Sequence, residues 1–148
     1  MKNIKYLIFI LSVAVMTVSC ENYDDFEEDR LPTIGFVKKN QNINSIAPGT
    51  TKSESVQVFI SDVSSSDRTF EVIQITIPEN EEGEYPPTGQ ENVSFDSTVT
   101  IPAGERIGLV TVSGTNVTLT GDRTFYRLAI KGSENAASGG RITVGLRQ

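Results

Sequence analysis

The side chains in this chain that can do chemistry are carboxylates, hydroxyls, four tyrosines and one thiol, in 148 residues that contain no His and no Trp. The densest carboxylate cluster is Glu79-Asn80-Glu81-Glu82-Gly83-Glu84. It is acidic enough for a calcium loop but lacks the alternating Asp/Asn ligands and terminal Glu of an EF-hand, so it reads as a solvated surface loop. Glycoside hydrolysis needs two carboxyl groups held opposite each other on rigid elements. No motif brings Glu71, Glu91, Asp96 and Glu105 together in that way. The absence of His removes Ser-His-acid and Cys-His nucleophiles, His-ligated zinc and a base that titrates near neutrality. The chain is therefore expected to be non-catalytic, with no metal site and no cofactor.

Binding chemistry is easier to write from these residues. A sugar ring stacks its apolar CH face on an exposed aromatic side chain while its hydroxyl edge stays polar. The candidates are Tyr85, beside Pro86 and Pro87 in the irregular stretch 79–90, and Phe125 or Tyr126. Phe125 and Tyr126 occupy alternating positions, so at least one must enter the core, and Tyr85-Pro86-Pro87 is the preferred candidate ligand-binding loop. A net charge of −6 gives no electrostatic reason to bind nucleic acid.

The charge also has an address. Lys2 and Lys5 precede the almost wholly apolar stretch Tyr6 to Val18, which is short for a bilayer-spanning helix and has the form of a secretory signal. Thr17-Val18-Ser19-Cys20 follows, and this resembles a bacterial lipobox, in which the Cys thiol is lipidated and the preceding peptide removed. One Cys cannot form an internal disulfide, and consumption of Cys20 in a thioether accounts for an unpaired Cys in an exported chain. Next comes Glu21 to Arg30, with six acids against one base, a composition that repels itself and reads as an extended tether. An acidic run behind a lipidated Cys is similar to the surface-export signal of Bacteroidetes lipoproteins, although a plain solvating spacer has the same composition.

Residues 31–148 lack apolar positions at helical spacing and are rich in Thr, Val, Ile and Ser between recurrent turn residues, the pattern of many short strands. Strands are expected at Thr33 to Lys38, Glu54 to Asp62, Thr69 to Ile77, Asn92 to Ile101, Arg106 to Ser113, Thr124 to Lys131 and Arg141 to Arg147. Val56, Val58 and Ile60 share one parity, as do Val99 and Ile101, then Tyr126, Leu128 and Ile130, then Ile142, Val144 and Leu146. Each strand thus has one inward face. Phe70 and Val72 fall out of period with Ile73, Ile75 and Ile77, and Ile107 and Leu109 with Val110 and Val112. Both breaks predict bulges or strands covered on both faces. Ile101-Pro102-Ala103-Gly104 predicts a hairpin turn. Seven strands over this length predict an all-β, immunoglobulin-like β-sandwich.

The stretch Thr98-Val99-Thr100-Ile101-Pro102-Ala103-Gly104-Glu105-Arg106, with the earlier strands and Arg123 to Ile130, resembles the Calx-β-like and DUF1735-type sandwich domains of Bacteroidetes surface lipoproteins. That resemblance implies the same fold and a place beside outer-membrane systems for glycan capture and import. It does not carry a calcium site: Phe95-Asp96-Ser97 stands where the Calx-β pattern has Asp-Tyr, and only Asp122 precedes the penultimate strand. Asp96-Ser97-Thr98 resembles the Bacteroidetes O-glycosylation motif, with Ser97 as acceptor. Asn92-Val93-Ser94 and Asn116-Val117-Thr118 match the N-glycan pattern, which such a protein would not use.

The sequence therefore predicts a signal peptide at 1–19, a lipidated Cys20 and acidic tether at 20–30, and one sandwich domain at 31–148. The expected role is a non-catalytic, lipid-anchored outer-membrane surface protein acting in binding or assembly, linked to glycan capture or uptake. Its expected partners are the membrane, through Cys20, and polysaccharide or an outer-membrane transporter and lipoprotein complex. The alternative is a pilus or adhesin subunit.

Overall fold

The computed structural model describes residues 30–75 and 90–148. The chain divides into two units, 1–30 and 31–148, and the account below concerns the second. Cys20, Tyr85, Pro86 and Pro87 lie outside the described residues.

The described residues of 31–148 form two five-stranded sheets. The first is ordered β5-β7-β3-β1-β9, from Val93–Phe95, Ile107–Thr115, Thr51–Ile60, Thr33–Phe36 and Ala137–Ser138. The second is ordered β2-β10-β8-β4-β6, from Asn40–Ile43, Ile142–Leu146, Thr124–Ile130, Arg68–Ile75 and Thr98–Ile101. All pairs are antiparallel except β1 with β9 and β2 with β10. The all-β sandwich expected from the sequence is the fold observed.

The inward parities follow the sequence pattern. Val56, Val58 and Ile60 of β3 meet Tyr126, Leu128 and Ile130 of β8 and Ile142, Val144 and Leu146 of β10 in one buried cluster. Each fully buried Val, Leu or Ile side chain contributes about 1.5–3 kcal/mol, so the core rests on many moderate terms. The predicted period break in β7 has another cause. Its ladder with β3 runs from Thr51↔Thr115 to Phe59↔Ile107 without a bulge. Val110 and Val112 face the core, while Ile107 and Leu109 point outward. In β4, Ile73 and Ile75 are half-buried on the outer side, in keeping with partial cover on both faces.

The expected strand Asn92 to Ile101 is divided by a change of sheet, and the chain changes sheet again just after the expected strand Thr33 to Lys38. Within Asn92 to Ile101, the Asp96 N–H donates to Thr111 O of β7 at 3.0 Å, and the next residue, Ser97, accepts from Val72 N of β4 at 2.9 Å. Near the start of the domain the Val37 N–H donates to Gln57 O of β3, while Lys39 O accepts from Thr143 N of β10. Sequence periodicity does not show which sheet a strand joins, so β2 was missed. Its residues Asn40-Gln41-Asn42-Ile43 contribute a single buried apolar side chain.

The Pro102 to Glu105 segment is a turn closed by Glu105 N to Pro102 O at 3.0 Å, with Gly104 at φ 80°. Its positive φ is open to Gly at little steric cost. The hairpin expected there is not formed: β6 pairs with β4 and β7 pairs with β3 and β5, so the turn links the two sheets. The close packing explains why. A Cβ on Gly108 would stand 2.6 Å from Val99 Cγ2 and 2.9 Å from Thr100 O, so β6 lies face-on across a side-chain-free position of β7.

Candidate functional site

The outer face of the first sheet is built from the odd positions of β3 and β7. Thr51 with Thr115 and Ser53 with Ser113 form hydroxyl pairs at 2.8 Å. Farther along the same ladder the paired residues are Gln57 with Leu109 and Phe59 with Ile107. One end of the face is therefore hydroxylic and the other apolar. Leu109 is 61% exposed, Val37 52%, Phe59 39% and Ile107 37%, an unusual concentration for a small domain surface.

The apolar end is concave. A cleft of about 370 Å³ is lined by Gly35, Val37, Gln57, Phe59, Ile107 and Gly140, among others. Gly35 is the register partner of Phe59, and a Cβ there would collide with the backbone N of Gly140. The missing side chain lets Gly139-Gly140 cross β1, held by Gly139 N to Ile34 O at 2.6 Å and Phe36 N to Gly140 O at 2.9 Å. Phe59 thus stands beside a backbone wall instead of a neighbouring side chain.

A second cleft, of about 600 Å³, opens where the chain crosses from β1 to β2. Lys39, Asn40, Arg127, Arg141 and Thr143 line it, and Phe36, Val37 and Gly140 belong to both clefts. Arg127, Thr143 and Asn40 are successive register partners across β8, β10 and β2, so they lie side by side on one sheet face.

Three of the carboxylates singled out in the sequence, Glu71, Asp96 and Glu91, make structural contacts. Glu71 pairs with Lys131 at 2.8 Å, and Asp96 Oδ2 accepts from Thr111 N at 2.7 Å. Glu91 accepts from the Thr118 hydroxyl at 2.8 Å. A hydrogen bond from its own backbone N–H, then that hydroxyl, holds the Glu91 carboxyl below its usual range. Among the described residues no group of three or more His, Cys, Asp or Glu could hold a metal ion.

Beside Glu91 lies a buried polar knot. Asn92 is 2% exposed; its Oδ1 accepts from Val117 N and Thr118 N at 2.9 and 3.0 Å, and its Nδ2 donates to Thr118 Oγ1 at 2.7 Å. The same side chain hydrogen-bonds the Tyr126 hydroxyl, where burial raises the phenol pKa and the Glu91 charge adds to the rise, the Asn92 bond opposing it. Asn116 is buried too, donating to Ile46 O at 2.7 Å. Both asparagines of the N-glycan matches are therefore enclosed.

Of the aromatic candidates on strands, Tyr126 is fully buried and Phe125 is half-buried. Ser97 is exposed, in the bend between β5 and β6. The sequence reading missed Phe59, yet the signal was present: Val56, Val58 and Ile60 inward forces Phe59 outward. The clefts carry no sequence motif, because residues 35, 59, 107 and 140 come together only through strand pairing.

No family model matches the sequence, and no curated protein does. Solved structures do match in fold. A candidate carbohydrate-binding protein from Bacteroides ovatus superposes with a TM-score of 0.62 at 13% identity, over 78% of this chain and 37% of that one. A two-domain protein of unknown function from Bacteroides fragilis gives 0.56 at 18% identity, over 86% and 50%. A class 5 fimbrial chaperone gives 0.51 at 14% identity, over 78% and 57%. The chain thus spans little more than half, or less, of each of these structures.

Proposed function

We propose that this protein is a non-catalytic, lipid-anchored outer-membrane surface protein whose sandwich domain captures glycans through the Phe59 cleft. The observation that carries the reading is an exposed aromatic ring at the edge of a concave apolar surface, with the polar Gln57 side chain in the same lining. That combination suits a sugar, which offers an apolar CH face and a hydroxyl edge. The fold it shares with the candidate carbohydrate-binding protein from Bacteroides ovatus supports it, as does the resemblance to Calx-β-like and DUF1735-type lipoproteins. In the cell the domain would hand glycan to an outer-membrane transporter and its lipoprotein partner.

Affinity electrophoresis of the full-length chain in polysaccharide gels tests this. Retardation is expected in at least one polysaccharide and should be lost in Phe59→Ala, a variant costing about 1 kcal/mol of stability or less because the ring lies outside the core. Loss in Tyr85→Ala with retention in Phe59→Ala would move the site to the loop. Absence of retardation across plant, host and microbial polysaccharides would contradict the proposal.

A further inference from the structure

The second cleft continues the first, and its chemistry is different. Lys39, Arg127 and Arg141 converge on it, with Asn40 and Thr143 between them, and none of its lining residues is acidic. Neither Lys39 nor Arg141 has a carboxylate partner among the described residues, whereas Arg68 and Lys131 are matched with Asp62 and Glu71. The placement runs against the charge of the chain, which is −6. Cations gathered in a recess focus a positive potential there, and guanidinium forks match planar carboxylate or tetrahedral sulfate oxygens with paired hydrogen bonds. Phe36, Val37 and Gly140 are common to both clefts, so a polymer whose ring rests on Phe59 would bring a neighbouring residue against the cations.

We infer that the glycan captured here is acidic, a polysaccharide bearing carboxylate or sulfate groups, with Lys39 and Arg141 forming the anion subsite. This rests on the glycan-capture reading of the Phe59 cleft and adds the ligand's charge to it.

The test is affinity electrophoresis of the full-length chain against polygalacturonate, chondroitin sulfate, uncharged dextran and galactomannan, with polyglutamate as a sugar-free polyanion. The expected result is retention by polygalacturonate or chondroitin sulfate, the preferred one identifying carboxylate or sulfate as the recognised group. Retention should weaken about tenfold in the Lys39→Gln/Arg141→Gln variant and fade at about 0.5 M salt. Phe59→Ala should weaken the same polymer. Equal retention by the uncharged polymers, unchanged retention in the double variant, or equal retention by polyglutamate would overturn the acidic assignment. In the first two cases glycan capture itself would stand; retention by no glycan at all would remove both.

Discussion

Tyr126 and Asn92 show how a polar group can be part of a sandwich core. The Tyr126 hydroxyl is enclosed with the Asn92 side chain, which also ties down the backbone at Val117 and Thr118. Because burial raises the phenol pKa, the unfolded chain releases this proton near its ordinary value of about 10, while the folded chain holds it longer. Stability is thus intact below about pH 10 and falls as pH rises through the folded value. Urea midpoints measured from pH 8 to 11 should decline steeply at the alkaline end, and less steeply in Tyr126→Phe; identical slopes would show that this phenol is not responsible. The inward parity of Tyr126 was legible from its strand, but its partner was not, since Asn92 lies 34 positions away and reaches it only through the fold. Phe59 is the opposite case: its outward parity was legible, but an outward Phe is commonplace, and the cleft beside it depends on Gly35 and Gly140.

Consecutive strands alternate between the sheets, the odd-numbered ones in the first and the even-numbered ones in the second, and the arrangement owes most to the abrupt crossings from β1 to β2 and from β5 to β6 and to the glycine that lets the sheets approach. Period-2 patterning identified seven strand regions because burial on one face leaves a mark on composition. It was silent on β2 and on the split at Asp96-Ser97, since a hydrogen bond to one sheet or the other leaves no such mark. The Pro102 to Glu105 turn illustrates the same limit: its chemistry is that of any tight turn, and Gly108 makes it an inter-sheet link. Gly108→Ala should destabilise the domain by about 1–3 kcal/mol, as overpacking does, with part regained in Gly108→Ala/Val99→Ala. Gly121→Ala, where a Cβ meets nothing within 4 Å, should be nearly neutral. Denaturant midpoints of the three variants check this, and equal midpoints would remove the close-packing account. The edge strands among the described residues, β2, β5, β6 and β9, are two to four residues long. Short edges limit pairing with another chain, which favours capture of a ligand on a face over assembly into a pilus.

For the whole chain, charge is distributed in a way that suits the proposed role. Removal of residues 1–19 would take away Lys2 and Lys5 and leave −8, of which the Cys20 to Arg30 segment would hold −5. The domain at 31–148, with 10 bases and 13 acids, is nearly balanced at −3, so Lys39 and Arg141 at one cleft form a local feature and not a general field. Lipidation at Cys20 would hold this domain at a membrane, since several acyl chains anchor firmly at about 0.8 kcal/mol per buried CH₂. Cys20→Ser should therefore move the protein from the membrane fraction to the soluble fraction on cell fractionation; persistence in the membrane would rule out the thioether as anchor. The central claim, that ligand is held on the β1-β3-β7 face at the β1 to β2 crossing, is tested most directly by mapping backbone amide shifts during titration with an acidic oligosaccharide. The account predicts shifts concentrated at residues 35–39, 57–59, 107–109 and 139–141; shifts confined to residues 79–90, or none at saturating oligosaccharide, would contradict it.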